Sequence, residues 1–238
     1  MLIPGLIMAV FALILLWAAD ECYSKGSSIK ELDSSRADTV VRVASFDDEY
    51  GDTLTAIFKY MTETVYGYTV EVVETSDSKA QDLIKEGILE VILAARQPDT
   101  KSWFKEAVSS GYIVDGGPSY SAKEFSYNAA VHPRLKIIAP DLFETINKME
   151  IQFAQLKETH NWYHDSDMVH ALPLHEDGVR AAVYYFWNFN YEDTWKRWMP
   201  WEPAERIRDA TERFTGLRYP EMYLGIEYEL NRFSSNSD

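Results

Sequence analysis

The sequence predicts an α/β fold: a single N-terminal transmembrane helix, then a parallel sheet with crossover helices, then a helical or irregular, aromatic-rich C-terminal region. Three observations predict it. Residues 1–19 carry no charged side chain, strand and helix patterns alternate between residues 39 and 120, and residues 178–238 are dense in aromatics without any strand rhythm.

Composition bounds the function classes. With 238 residues and 46% apolar content, the chain suits one domain or two small lobes with a real core. Charged residues at 26% beside 14% aromatics exclude a disordered chain. The 38 acidic side chains outnumber 23 basic ones, for a net charge of −15. Nucleic acid is thereby excluded as a partner, because phosphate binding needs a clustered basic surface. The single cysteine, Cys22, excludes an internal disulfide framework and a cysteine-rich zinc site.

The first element is MLIPGLIMAVFALILLWAA, residues 1–19. At about 1.5 Å per residue it makes a helix of roughly 28 Å, close to a bilayer's hydrocarbon thickness. Trp17 falls where an amphipathic ring prefers the interface, and Asp20 and Glu21 stop the run. A cleaved signal peptide is the competing reading. It needs a basic start, which is absent, and small residues before the cut. Cleavage after Ala19 puts Trp17 at a small-residue position, and cleavage after Ala18 puts Leu16 there. Ala19-Asp20-Glu21 is also the wrong approach to a lipidated Cys22. The segment therefore reads as an uncleaved anchor. Lys25, Lys30 and Arg36 follow it, and positive charge on that side weakly favours a cytoplasmic body. Residues 20–38, which include SKGSSIKELDSSRAD, read as a polar tether.

The body starts near Thr39. TVVRVAS (39–45) is a β-branched strand, FDDEYG a turn, and 52–65 has helical spacing. YTVEVVE (68–74) alternates as a strand, and Ser76 or Asp77 can cap the next helix, which ends at Gly87. ILEVILA (88–94) is a strand, Pro98 breaks the chain, 100–110 is helical, and GYIVDGGPSY (111–120) is a short strand entering a glycine turn. This alternation implies a parallel sheet with right-handed crossovers. Ligands of such sheets bind beyond the carboxyl ends of the strands, so the informative loops are 46–51, 75–78 and 94–100.

The order VRVASFDDEYGDTLTAIFKYM, GYTVEVVE, AQDLIKEGILEVILA, a proline-bearing QPDT, then GYIVDGGPSY resembles the first lobe of solute-binding proteins of glycine betaine/proline-type ABC importers. The resemblance covers residues 40–120, about a third of the chain. It implies a two-lobed, periplasmic-binding-protein-like fold outside the cytoplasm, with ligand held in a cleft that closes about a hinge. It also implies a box of aromatic faces around a quaternary ammonium, which makes no hydrogen bonds and is held by cation–π attraction. The chain departs from that pattern. Phe46 stands where the family commonly has tryptophan, and Ala94-Ala95-Arg96-Gln97-Pro98 replaces an acidic residue and tryptophan before the proline. An arginine in a cation box repels the ligand, so lost or altered solute binding is expected. The alternative is a box elsewhere, with Arg96 facing solvent. If a solute is bound, the resemblance points to Phe46, Asp47, Arg96 and Trp103.

After Tyr120 the family enters a second α/β lobe and returns. Here RLKIIA (134–139) and VHALPL (169–174) are the remaining strand candidates, and DLFETINKMEIQFAQLKE (141–158) reads as one long amphipathic helix behind Pro140. The second lobe is therefore expected to be reduced, and a cleft with one reduced wall encloses a solute poorly. The organisation expected is an anchor (1–19), a tether (20–38), an α/β domain (39–177) and an aromatic-rich docking region (178–238).

Nine aromatic residues crowd positions 184–201. A local core accounts for many of them. Trp187, Trp195, Trp198 and Trp201 with Arg197 are the candidate partner-docking residues, because tryptophan and arginine are common interface anchors. A membrane headgroup zone or a rebuilt aromatic ligand cage are further uses for the segment TWKRWMPWEP.

Other chemistry is sparse. His160 and His164 stand four apart, with His170, His175 and Glu176 beyond them, a spacing that can share a metal on a helix; no zincin pattern accompanies it, and no metal is assigned. Asp47 and Asp48 read as turn residues, and Gly116-Gly117-Pro118 as a turn rather than a phosphate cradle. No nucleophile elbow, nucleotide motif or cofactor site is present, so no enzyme is expected.

The function expected is a non-catalytic, membrane-anchored accessory or scaffold subunit of a larger membrane complex, with a photosynthetic or respiratory assembly as a candidate host. Its partners would be integral membrane subunits and the bilayer through residues 1–19, and its acidity would steer basic electron carriers. The placement expected is the bacterial inner membrane, single-pass, with the body on the periplasmic side. The alternative is a membrane-anchored receptor for a betaine-like or small-osmolyte ABC importer. A metal-dependent sensor on the histidine segment is the third reading.

Overall fold

The computed structural model describes residues 32–46, 50–95, 97–122, 125–164, 178–189 and 195–216. The predicted anchor and the tether up to residue 31 lie outside the described residues. Among the described residues no helix is long and apolar enough to cross a membrane.

The first half folds as its periodicity dictates. Strand β1 (Val40–Ser45) leads to helix α1 (Gly51–Met61), which runs on as a π-helical turn over Thr62–Tyr66. Gly67, at φ +76°, ends it with the left-handed residue that a helix C-terminus requires. Strand β2 (Thr69–Glu74), helix α2 (Asp77–Lys85), strand β3 (Val91–Ala95) and helix α3 (Gln97–Ser109) follow. Both β2 and β3 pair with β1 in parallel. Alternation along β1 sends Val41 and Val43 to one face and Ala44 to the other. One face packs against α1; the opposite face receives Ala80 and Ile84 of α2 and Ala107 of α3. Strand β3, central and buried throughout, is correspondingly apolar along its whole length.

The sheet is mixed rather than wholly parallel. Strand β4 (Val114–Ala122) pairs antiparallel with β5 (Phe125–Val131), and β5 pairs antiparallel with β3. Gly116 and Gly117 sit within β4 as an irregularity in register, not in a turn after it. A Cβ on Gly116 would lie 2.9 Å from Val131 Cγ2, so only glycine lets β5 approach there. Gly117 takes φ +77°, and its N–H donates to Asp115 Oδ1 at 2.9 Å. The bulge resolves what looks, in a one-dimensional reading, like a strand end.

Only residues 123–124 separate β4 from β5, and Ala122 pairs with Phe125. At the point where the resemblance implies departure into a second lobe, the chain reverses into its own sheet. The described residues hold a single six-stranded sheet of order β2-β1-β3-β5-β4-β6.

The remaining elements depart from the sequence reading. RLKIIA is not a strand: Leu135–Ile138 forms a single helical turn, α4, in which Ala139 N–H donates to Leu135 O at 2.9 Å. Pro133 and Pro140 confine it to one turn, and only Leu135 of its four residues is fully buried. VHALPL lies outside the described residues. The long helix expected over 141–158 is two helices, α5 (Pro140–Ile146) and α6 (Phe153–His164), separated by a turn and the two-residue strand β6 (Ile151–Gln152). Pairing of Ile151 with Tyr120 buries Met149 and Ile151 completely, a tertiary gain that outcompetes helical continuity. Helix α7 (Val179–Asn188), a 3₁₀ turn (Trp195–Trp198) and helix α8 (Trp201–Thr215) complete the body. Helix α7 packs on α1 and α6 and belongs to the main core, so the boundary expected at residue 178 is not one.

The end of the expected tether is also part of the body. Asp33 caps a 3₁₀ turn at Ser34–Asp38, and Arg36 Nη1 donates to Asp141 Oδ2 at 2.6 Å and to Tyr66 O at 3.3 Å. Tyr68 OH donates to Asp141 Oδ1 at 2.8 Å, and Tyr66 OH hydrogen-bonds Thr145 Oγ1. Burial, only partly opposed by the Thr145 hydrogen bond, pushes the Tyr66 hydroxyl up to about 12. Burial, and then the Asp141 carboxylate, push Tyr68 up as well. These tyrosines stay neutral in the folded chain where unfolded ones, near 10, ionise. Raised folded values contribute stability that is complete below pH ~10 and is lost as pH climbs toward 12. Urea denaturation is therefore expected to show a falling midpoint above pH ~10; a midpoint unchanged to pH 12 would count against this network.

Candidate functional site

The carboxyl ends of β1 and β3 border a shallow depression with room for about one water, lined by Phe46, Asp77, Gln81, Ile92, Ala94, Ala95 and Trp103. Phe46 follows directly on β1, Asp77 and Gln81 stand on the first turns of α2, and Trp103 projects from α3. Each arrives by local logic: β1 ends at Ser45, Ser76 takes the extended N-cap conformation, and α3 carries Trp103 back over the alanines of β3. Phe46 packs at the seam of the two apolar clusters, and Phe46 and Trp103 are both half-buried. Trp103 is braced edge-on by Phe104, with centroids 6.2 Å apart. The site thus offers two aromatic surfaces, one carboxylate and one amide over a small-residue floor. That combination suits a small cation carrying apolar groups.

Of the residues the sequence assigned to a ligand, the structure brings Phe46 and Trp103 together. Asp47 and Arg96 lie outside the described residues. Asp77 and Gln81 were missed; their position opposite a strand's carboxyl end, in the loop region 75–78 and one turn beyond, was the available signal.

Three of the docking tryptophans require correction. Trp187, Trp195 and Trp198 are 1%, 0% and 3% exposed and serve the chain's own core. Helix α7 is apolar nearly all round, which marks an interior helix, and Trp195 and Trp198 close over it, Trp195 edge-to-face on Phe186 and Trp198 stacked on Tyr185. Trp201 is 70% exposed, and Arg197, four residues before it, is exposed as well.

A second group of side chains meets on the α1–α6 side. Asp52, in the first turn of α1, lies 3.9 Å from His160 Nδ1 and 3.6 Å from His164 Nε2 of α6. The histidine spacing was legible; the third member, from a distant helix, was not. His170, His175 and Glu176 lie outside the described residues.

The single mixed sheet with helices on both faces has a periplasmic-binding-protein-like fold, as its superposition on solved structures shows. Three similar solved structures are binding proteins for choline or glycine betaine. A choline binding protein of an ABC transporter, in complex with choline, superposes with a TM-score of 0.61 at 8% identity, over 75% of this chain and 99% of that one. A glycine betaine, L-proline-binding protein (ProX) from Borrelia burgdorferi gives 0.57 at 10% identity, over 71% of this chain and all of that one. Lactococcal OpuAC, closed on glycine betaine, gives 0.53 at 9%, over 68% and 100%. No protein-family profile and no curated protein sequence matches the chain.

Proposed function

We propose that this chain is a non-catalytic binding protein of the solute-receptor type, with a reduced second lobe, whose Phe46–Trp103–Asp77 wall contacts a small methylated cation such as choline or glycine betaine. The convergence of two aromatic faces and a carboxylate at the carboxyl ends of β1 and β3 carries this reading. It supports the expected alternative, a receptor for an importer, over a scaffold without a ligand. A single wall covers less of a solute than the 70–90% typical of small-molecule pockets. Each exposed cation–π contact contributes about 0.5–1 kcal/mol and an exposed carboxylate about 0–1, so the wall supplies about 1–3 kcal/mol and binding by this chain alone should be weak, roughly ten millimolar or weaker. The opposing wall would come from a membrane subunit of the importer. Residues 1–19 would hold the body outside the cytoplasmic membrane, against that subunit.

The test is titration of the full-length chain with choline, following the indole N–H resonance of Trp103 by NMR. A saturable shift over tens of millimolar choline is expected, lost in Phe46→Ala, which keeps the Trp103 reporter, and several-fold weaker for 3,3-dimethylbutanol, which has choline's shape without its charge. Equal response to the neutral analogue, or none to choline, would remove the ligand. The two-residue connection between β4 and β5 favours a second reading in that event. It is an accessory subunit of a membrane complex that keeps the fold without the cargo.

A further inference from the structure

We propose that Asp52, His160 and His164 form a divalent transition-metal site of the zinc type that clips α1 to α6. This group is separate from the Phe46–Trp103 concavity and independent of its ligand. His160 and His164 are one helical turn apart on α6, so their rings share a face. Their centroids are 4.3 Å apart, and one ligand atom from each of the three residues lies within 4.8 Å of the others. Donors bound to one zinc at roughly 2.0–2.2 Å in a tetrahedron stand about 3.4 Å apart. Asp52 Oδ1 stands 3.9 Å from His160 Nδ1 and Oδ2 3.6 Å from His164 Nε2, and the three donors, within 4.8 Å of one another, close on an ion by side-chain rotations of about 1 Å. Two imidazoles and a carboxylate form a donor set that favours zinc and its neighbours over calcium or magnesium, which prefer all-oxygen sites.

The surroundings already hold these donors. Thr53 Oγ1 lies 3.2 Å from His160 Nδ1 and 3.3 Å from Asp52 Oδ1, and Thr53 N–H donates to Asp52 Oδ1 at 2.6 Å. Tyr50 packs edge-on against His160 at 5.0 Å, and Tyr163 against His164 at the same distance. The ring contacts and the Thr53 N–H bond to Asp52 lower the cost of gathering ligands around a metal, while the Thr53 hydroxyl, which contacts the same His160 Nδ1 that would ligate, has to rotate away. His160 is 15% exposed in its side chain, whereas Asp52 and His164 are 53% and 51% exposed, so the open position faces water. The N-terminus of α1 beside Asp52 offsets part of the carboxylate's field, which argues for imidazole coordination as the main source of affinity. A filled site would tie the start of α1, and Tyr50 before it, to the far end of α6.

The experiment uses the full-length chain, stripped with chelator and dialysed against zinc chloride alone. One zinc per chain and a rise in melting temperature are expected for the wild type. His164→Ala and Asp52→Asn should each weaken binding at least ~tenfold and abolish the rise, the scale seen even for groups that only orient a ligand. Both positions are exposed, and asparagine keeps an acceptor for Thr53 N–H, so circular dichroism of the metal-free variants should match the wild type. Failure of the wild type to bind zinc overturns the site. So does zinc bound with unchanged stoichiometry and affinity by His164→Ala.

Discussion

Trp195→Ala is expected to destabilise the body by about 3–5 kcal/mol, the range for deleting a fully buried aromatic side chain. The indole is fully buried, packs edge-to-face on Phe186 at 5.4 Å and 87°, and donates from Nε1 to Phe186 O at 3.1 Å. Removing it opens a cavity between α7 and α8 and leaves a carbonyl at the end of α7 without its donor. A domain of this kind has about 5–15 kcal/mol in total, so a large fraction of its stability would be lost. Equilibrium urea denaturation checks this. Trp195→Phe should recover most of the loss, because it refills the space and forfeits one hydrogen bond of about 1 kcal/mol. Trp201→Ala, a change of the same chemistry at a residue 70% exposed, should fall within about 0.5 kcal/mol of wild type. Equal effects at 195 and 201 would refute the division of these tryptophans into core and surface.

The second large effect is expected at Glu90. Its side chain is buried at the start of β3, where Oε2 accepts Arg42 N–H of β1 at 2.8 Å and Oε1 lies 3.7 Å from Arg134 Nη1. The Glu90 backbone N–H donates to Arg42 O at 3.0 Å, and its carbonyl accepts His132 N–H at 2.9 Å. One residue thus joins β1, β3 and the end of β5 at the edge opposite the ligand face. Glu90→Ala strands the Arg42 N–H and removes the carboxyl's partnership with Arg134. The expected cost is about 2–4 kcal/mol, from a hydrogen bond of the charged class and an orphaned donor. Glu90→Gln keeps the acceptor and the shape, and should cost about 1 kcal/mol or less. Hydrogen exchange at the Arg42 amide gives an independent readout: protection should fall in Glu90→Ala and persist in Glu90→Gln. Persistence in both would show that the carboxyl is not what holds that edge.

Glu90 also illustrates how much of the site was legible. ILEVILA reads as a strand with a polar interruption, and nothing in its pattern tells that the interruption accepts a backbone N–H from β1. Phe46 and Trp103 were assigned through their places in a recurring order of elements; the strand-end rule reached Phe46 but not Trp103, which stands in α3 beyond the 94–100 loop. Asp77 and Gln81 stood in or beside the right loop without being chosen, because a helix N-terminus explains an aspartate equally well. The aromatic run at 184–201 was read partly as a docking surface. Local composition cannot distinguish an interior helix from an exposed anchor when most of its residues are apolar.

The amino-acid sequence by itself determined the β1-α1-β2-α2-β3 frame. Period-two and helical spacing, and glycines at helix ends such as Gly67 and Gly87 with φ +76° and +72°, act over a few residues and need no distant partner. Only the tertiary structure decided the reversal of β5, the insertion of β6 between two helices, the burial of α7, and the meeting of Asp52 with His160 and His164. Periodicity specifies which side of an element is apolar. What that side meets depends on contacts between residues as much as a hundred positions apart, whose burial free energy outweighs local preference.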